Sequence, residues 1–168
     1  MIIRAETSSD LAAIRAAEEA AFARPAEAGL VDDLRSAGDI VLSLVAVDGE
    51  RVVGHVMFSK MNAPFRALGL GPVAVLPERQ RTGIGSQLIR EGLARAEAEG
   101  WKGVFVLGDP AYYGRFGFDA DKASGFRSPY FRPYLMALAL GADDLPTRSG
   151  SIEYAPAFAA LGYPSVQH

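Results

Sequence analysis

The 168-residue chain has no cysteine and only two histidines, His55 and His168. Disulfides, thiolate metal sites and a cysteine nucleophile are therefore excluded, and no multi-histidine metal centre can be built. Triads that depend on histidine are poorly supplied. Long apolar runs are missing too, since no segment approaches the roughly 18–20 residues that a membrane span needs. The start, Met1-Ile-Ile-Arg-Ala-Glu, has no basic stretch leading into an apolar one, so no signal peptide is expected and the cytoplasm is the expected compartment. Nor is there an excess of positive charge. Seventeen Lys and Arg stand against 20 Asp and Glu, a net charge of −3, which argues against broad nucleic-acid binding. The pairs Asp32-Asp33 and Asp143-Asp144 are isolated and read as cap or surface acids rather than a glycosidase couple.

Apolar residues make up 49% of the chain, an ordinary share for a globular protein. No linker, repeat or low-complexity stretch interrupts it, so residues 1–168 are expected to form a single domain with a sizeable core. Its organising stretch is Gly71 to Ser86. A β-branched run, Val73-Ala-Val75-Leu76, stops at Pro77, which has no N–H for a central ladder. A polar loop, Glu78 to Thr82, leads to Gly83-Ile84-Gly85 at the start of a helix. Strand, glycine-bearing loop and helix N-terminus form a layout suited to phosphate, because free N–H groups and the positive end of the helix dipole converge there. Arg79 and Arg81 add local positive charge. The spacing is neither a Walker loop nor a dinucleotide fingerprint.

Along the chain, a strand is expected over Met1 to Arg4, then a helix with Leu11, Ile14, Ala17, Ala21 and Phe22 at helical spacing. Arg24-Pro25 breaks it, and a second helix comes next over about Ala26 to Ala37. Ile40 to Val47, Arg51 to Phe58 and Ala67 to Leu76 read as a three-stranded meander, with Asp48-Gly49 marking a two-residue hairpin turn. The main helix is expected over about Gly83 to Glu99. Val104 to Leu107 then returns to the sheet parallel to the strand before that helix. Asp109-Pro110 starts a short helix with Tyr112 and Tyr113. Asp119 to Pro133 reads as irregular, Tyr134 to Leu140 as a late strand and Ser151 to Tyr154 as one more. The expected fold is α/β, with a mixed, largely antiparallel central sheet flanked by helices.

Gln80-x-x-Gly83-x-Gly85 resembles the acyl-coenzyme A loop of the GNAT superfamily of N-acetyltransferases, written Arg/Gln-x-x-Gly-x-Gly/Ala. Tyr113-Gly-Arg-Phe-Gly117-Phe118 resembles the family's Tyr-x-x-x-Gly-Phe, and the element order from Met1 to Phe118 is the family's. Glu27-x-x-Leu30-Val31-x-x-Leu34-Arg35 and Gly150-Ser-Ile-Glu-Tyr154-Ala-Pro-Ala-Phe158 look like a small bacterial branch of predicted acetyltransferases. Gly108-Asp109-Pro110 departs from the pattern, where many members carry an asparagine.

The resemblance implies a GNAT-like acyl-CoA N-acyltransferase fold, acetyl-CoA as cosubstrate and no metal. It also implies direct attack by an amine with no covalent enzyme intermediate. The amides of Arg81, Thr82, Gly83, Ile84, Gly85 and Ser86 would hold the pyrophosphate, with Gln80 in the loop. Val73 and Val75 would offer backbone groups to pantetheine, the Val73 N–H facing the thioester oxygen. Tyr113 would protonate the leaving thiolate; from its residues alone, the segment reads as Tyr112, Tyr113 and Phe116 packing a short helix. Glu27 is the implied candidate base, beside its reading as a solvated first-turn acid, and a water chain is the alternative. His55 reads as a sheet residue with one hydrogen bond, Glu78 as a solvated loop acid, and Gln80 and Thr82 as shapers of the loop. Phe126, Tyr130, Phe131 and Tyr134, with Arg127 and Arg132, are expected to form a lid, an acceptor pocket or a subunit contact, which leaves a homodimer open. The acceptor is expected to be a small-molecule or peptide amine. A non-catalytic acyl-CoA-binding module and a generic anion-binding domain remain the rival readings.

Overall fold

Three successive apolar strands, β-branched and too short for helices, build the middle of one sheet. The computed structural model describes residues 1–128 and 134–161. With β1 spanning Ile2–Ala5, the meander is β2 (Ile40–Asp48), β3 (Arg51–Lys60) and β4 (Ala67–Val75). The next strands are β5 (Gly103–Leu107), β6 (Phe126–Arg127), β7 (Leu135–Ala139) and β8 (Gly150–Ser151). The main sheet runs β1-β2-β3-β4-β5-β7, and β6 and β8 pair separately. Every junction in the main sheet is antiparallel except β4 with β5. That pair is parallel because helix α3 (Ile84–Ala98) carries the chain back to the same edge.

The helices α1 (Leu11–Phe22) and α2 (Ala26–Ala37) lie on one face and α3 on the other. Strand alternation sends Leu44, Val56, Phe58 and Val73 toward Leu88 and Ile89 of α3. Val45, Met57 and Phe105 pack toward Ile14, Leu30 and Leu34 of α1 and α2. Each such side chain contributes about 1.5–3 kcal/mol when fully buried. α3 sits close on β3. A Cβ on Gly92 would lie 2.3 Å from the Phe58 ring, and one on Gly54 would lie 3.0 Å from Ile84 and Leu88. This contact fixes the start of α3 over the end of β4.

Two irregularities mark β4. Val56 pairs with Val73 and Phe58 with Leu70, so Met57 alone faces Gly71 and Pro72 and β4 carries a bulge. Pairing of β4 with β5 runs from Ala67–Gly103 to Leu70–Val106 and stops there. Beyond Leu70, β4 stays paired with β3 and no longer with β5, and a gap opens between β4 and β5.

The expected elements are found within a residue or two, with four differences. The strand expected over Ser151 to Tyr154 is only the two-residue β8 at Gly150–Ser151. The hairpin turn is Gly49-Glu50, because Asp48 still pairs with Arg51. The stretch read as irregular holds α5 (Ala120–Ala123), whose first turn is capped by the Asp119 carboxylate on the Asp121 N–H at 2.8 Å. It also holds β6, and both elements are too short for periodicity to reveal. Phe126 is buried and packs edge-on against Phe65 and Phe105, so it belongs to the core. Tyr130, Phe131, Arg132 and His168 lie outside the described residues. Among the described residues no helix is long and apolar enough to cross a membrane.

Candidate active site

After β4 the chain makes a 3-10 turn over Pro77–Arg79, α4 (Pro110–Tyr113) lying beyond β5 on the far side of the gap. Two side chains fix the loop from within: Gln80 Nε2 donates to the Val75 carbonyl at 3.0 Å, and Thr82 Oγ1 donates to the Arg79 carbonyl at 2.5 Å. Arg79 is tied to the β2–β3 hairpin through Asp48 at 2.8 Å, and Arg51 holds Glu78 at 2.6 Å. Arg81 and Gly83 both adopt left-handed backbone, with φ of 65° and 91°. At Gly83 no Cβ strain results, and the helix starts at the next residue. The first hydrogen bond of the helical ladder is Gln87 N–H to Gly83 C=O at 3.0 Å. The N–H groups of Ile84, Gly85 and Ser86 precede it and are the ones a helix leaves without a partner in its own ladder.

These groups open into a cleft lined by Val75, Arg79, Arg81, Gly83, Ile84, Gly85, Ser86, Tyr112 and Arg115. Three guanidinium groups and a helix N-terminus meet with no acidic lining residue, so the cleft favours a polyanion. Arg115 stacks on the Tyr112 ring at 4.2 Å and donates to the Tyr112 carbonyl at 3.1 Å. The cleft brings together Val75, Arg81, Gly83, Ile84, Gly85 and Ser86 of the sequence-derived loop and strand residues. Val73, Gln80 and Thr82 do not line it. Gln80 and Thr82 shape it from behind.

Val73 faces the gap instead. Leu76 N–H donates to Val53 C=O at 3.0 Å. Antiparallel alternation then assigns Ala74, opposite His55, to the bonds with β3. The backbone groups of Val73 and Val75 therefore point away from β3, into the space where β5 has parted. The Gln80 amide reaches the Val75 carbonyl from that side.

Tyr113 is 1% exposed and packs in the α3-side core with Leu70, Val73, Val75 and Val106. Its ring meets Tyr112 and Phe118 edge-on, at 5.0 and 5.8 Å. Burial pushes its phenol well up, with a small addition from Tyr112, so it is protonated at neutral pH. The ring that lines the cleft is Tyr112.

On the other face lies a polar group that sequence reasoning largely missed. His55 is fully buried with both ring nitrogens engaged: Nδ1 is 2.7 Å from Glu18 Oε2, and Nε2 is 2.8 Å from Ser43 Oγ. Glu18, on α1, is 0% exposed, and its Oε1 has no hydrogen-bond partner among the described residues. Burial pushes its carboxyl up; His55 opposes this and the Glu27 charge adds to it. Beyond Ser43 stands Glu6. Burial pushes Glu6 up, but hydrogen bonds from Arg35 and the Ser43 hydroxyl prevail and hold it below the ordinary glutamate value. Glu27 is itself 1% exposed, with both carboxylate oxygens held by Arg24, through Nε at 2.8 Å and through Nη2. The first-turn acid of α2 is thus buried and paired. Among the described residues no three His, Asp or Glu side chains converge as a metal site requires.

Residues 2–120 match the family model described as an acetyltransferase (GNAT) domain. Over 123 residues the chain is 42% identical to YhbS of Escherichia coli, an uncharacterized N-acetyltransferase, with 71% of this chain and 74% of the relative covered. The crystal structure of Escherichia coli YhbS in complex with CoA superposes with a TM-score of 0.90 at 35% identity, covering 96% of this chain and 93% of that one. A GNAT family acetyltransferase of Brucella melitensis, solved in complex with acetyl-CoA, gives a TM-score of 0.80 at 42% identity, covering 94% and 97%. The sheet with its parting strands, the arginine-lined helix start and these matches lead to one identification: the chain is an acetyltransferase and belongs to the GNAT family.

Proposed function

We propose that the protein moves an acetyl group from acetyl-CoA to the nitrogen of a small-molecule or peptide amine by direct attack. It would do so as one domain over residues 1–168, in the cytoplasm. One observation carries this reading: a cleft of three arginines and free helix amides lies at the end of a strand whose backbone faces an open gap. The solved relatives, which hold CoA and acetyl-CoA, support the same use of the cleft.

The N–H groups of Ile84, Gly85 and Ser86 bind the pyrophosphate with Arg81, while Arg79 and Arg115 flank it. Gln80 and Thr82 hold the loop in shape. Pantetheine runs along the gap and pairs with the open edge of Val73 and with the Val75 N–H, and the Val73 N–H donates to the thioester oxygen. That bond strengthens as negative charge develops on the oxygen.

Tyr113 donates a proton to the thiolate as the C–S bond breaks. Burial lifts the phenol, so it keeps its proton until a thiolate forms beside it. Glu27, the base that the family resemblance implies, is buried and held by Arg24, so the acceptor's proton leaves through a chain of water.

The test is release of free thiol from acetyl-CoA in the presence of a polyamine, an aminoglycoside, free amino acids and short peptides. Turnover with at least one amine is expected. Binding of acetyl-CoA without thiol release from any of them would leave only a binding module.

A further inference from the structure

Coenzyme A carries a pyrophosphate and, separately, a phosphate ester on C3′ of its ribose. The helix start accounts for the first and leaves the second without a partner. We propose that Arg90 and Arg115 form a further subsite that holds the 3′-phosphate, so that the protein selects acetyl-CoA over its 3′-dephosphorylated form. This rests on the acetyl-CoA reading above.

Most of the described arginines, Arg79 among them, are ion-paired with a carboxylate. Among the described residues Arg66, Arg81, Arg90, Arg115 and Arg127 are not. Arg66 lies over Trp101, away from the cleft at the opposite end of β4, and Arg127 is bonded to Ser151 beside β8. The other three gather at the start of α3, where Arg81 and Arg115 line the cleft and Arg90 projects from the helix. No acid takes Arg90 from its own helix either, since the adjacent Glu91 is held by Arg95 at 3.1 Å.

One ring draws the two arginines together. The guanidinium of Arg90 lies 4.9 Å from the Phe116 centroid and that of Arg115 lies 5.8 Å from it, so the two are no further apart than the sum of those distances. Arg115 also stacks on Tyr112 at 4.2 Å. An aromatic ring takes the face of a guanidinium and leaves its N–H edge open, and that edge forks onto phosphate. Both side chains are exposed. The Arg115 Nε is used by the Tyr112 carbonyl, and no described residue accepts from its Nη groups or from Arg90. Stacking holds both cations in place beforehand, so less freedom is lost when the anion arrives.

The spacing fits the ligand. Ser86, at the pyrophosphate cradle, and Arg90 are four residues apart on α3, which puts them on one side of the helix with a rise of about 6 Å. In coenzyme A the pyrophosphate and the 3′-phosphate are joined through C5′, C4′ and C3′ of one ribose, a comparable reach. With the pyrophosphate on the amides of Ile84, Gly85 and Ser86, the ribose spans that rise and its phosphate meets Arg90 and Arg115. ATP has no group for this position.

The experiment titrates acetyl-CoA and acetyl-dephospho-CoA calorimetrically into wild type, Arg90→Gln, Arg90→Lys and Arg115→Gln. Wild type is expected to bind acetyl-CoA about 10-fold or more tighter than the dephosphorylated ligand, the scale of one charge-assisted contact. Arg90→Gln should bring that ratio down to about threefold or less, weakening acetyl-CoA while acetyl-dephospho-CoA stays within about twofold of its wild-type affinity. Arg90→Lys keeps the charge without the fork and should fall between. Arg115→Gln should weaken both ligands, because Arg115 also flanks the pyrophosphate, and acetyl-CoA the more. Equal wild-type affinities for the two ligands, or an unchanged ratio in either glutamine variant, would overturn the subsite. The wild-type comparison does so without depending on the folding of any variant. Binding of neither ligand would bring down the acetyl-CoA reading and the subsite with it, whereas equal binding of both strikes the subsite alone.

Discussion

The side-chain amide of Gln80 donates to the main-chain carbonyl of Val75 at 3.0 Å, joining the phosphate loop to the strand that borders the gap. The bond holds two parts of one binding surface, the anion cradle and the pantetheine edge, in fixed register. Removing it in Gln80→Ala should weaken acetyl-CoA binding about tenfold, equivalent to about 1.4 kcal/mol, and lower the melting temperature only slightly. Calorimetric titration checks the first expectation and thermal melting the second. An unchanged affinity would mean that the loop holds its shape without the amide.

Arg81 sits in the cleft on a left-handed residue at the loop's crest. Arg81→Ala should raise the Kd for acetyl-CoA about 10-fold or more, because charge-assisted hydrogen bonds are worth about 1.5–3 kcal/mol. The affinity of the variant should depend less on salt than that of the wild type. Titration at two ionic strengths decides this. Equal salt slopes would remove Arg81 from the anion site.

The two adjacent tyrosines separate binding from chemistry. Tyr113 is buried next to Val73 and Val75, whereas Tyr112 lines the cleft and carries Arg115 on its face. Tyr113→Phe should leave acetyl-CoA affinity intact and cut kcat by about 10-fold or more. Tyr112→Ala should do the reverse, raising the KM for acetyl-CoA with less effect on kcat. Steady-state kinetics of both variants tests the pair. Full activity in Tyr113→Phe would leave its ring as core packing.

Stability should depend on pH in two opposite senses. Glu6 and Asp10 lie below their ordinary values, Glu6 through Arg35 and Ser43 and Asp10 chiefly through Arg4, so the folded chain keeps them ionised where the unfolded chain takes up protons. Their contribution is present above about pH 4 and is lost as pH falls further. Glu18 lies above its ordinary value, so the folded chain keeps a proton that the unfolded chain loses above about pH 4.3. Stability should therefore decline as pH rises from about 5 toward the elevated value, and Glu18→Gln should remove that decline. Melting curves at pH 5, 6.5 and 8 should diverge between the two proteins by a few degrees, because about 1 kcal/mol moves the Tm of a chain this size by about 2–4 °C. Parallel curves would contradict the raised state of Glu18.

Local features carried most of what could be read from the sequence. Pro77 ended the strand, Gly83 allowed the turn and Gly85 opened the helix, all within a dozen residues. The parting of β4 from β5 was not legible, since it depends on the bulge at Gly71-Pro72 and on the pairing register across the sheet. Glu18 left a signal that was passed over. It falls four residues after Ile14 and three before Ala21, on the apolar stripe of α1, where an acid needs a buried partner. That partner, His55, lies 37 positions later, and only the packing of α1 on β3 brings the two together. Which of Tyr112 and Tyr113 faces the cleft could not be told from a four-residue helix with no period to read.

The most direct test of the account is calorimetric titration of the protein with acetyl-CoA, coenzyme A and ATP, repeated with Arg81→Ala. The cleft and gap together predict one site for both coenzyme A species, clear preference over ATP, and weaker binding in the variant. Absence of binding by acetyl-CoA, or equal affinity for ATP, would contradict the assignment of the cleft and the acetyl transfer built on it.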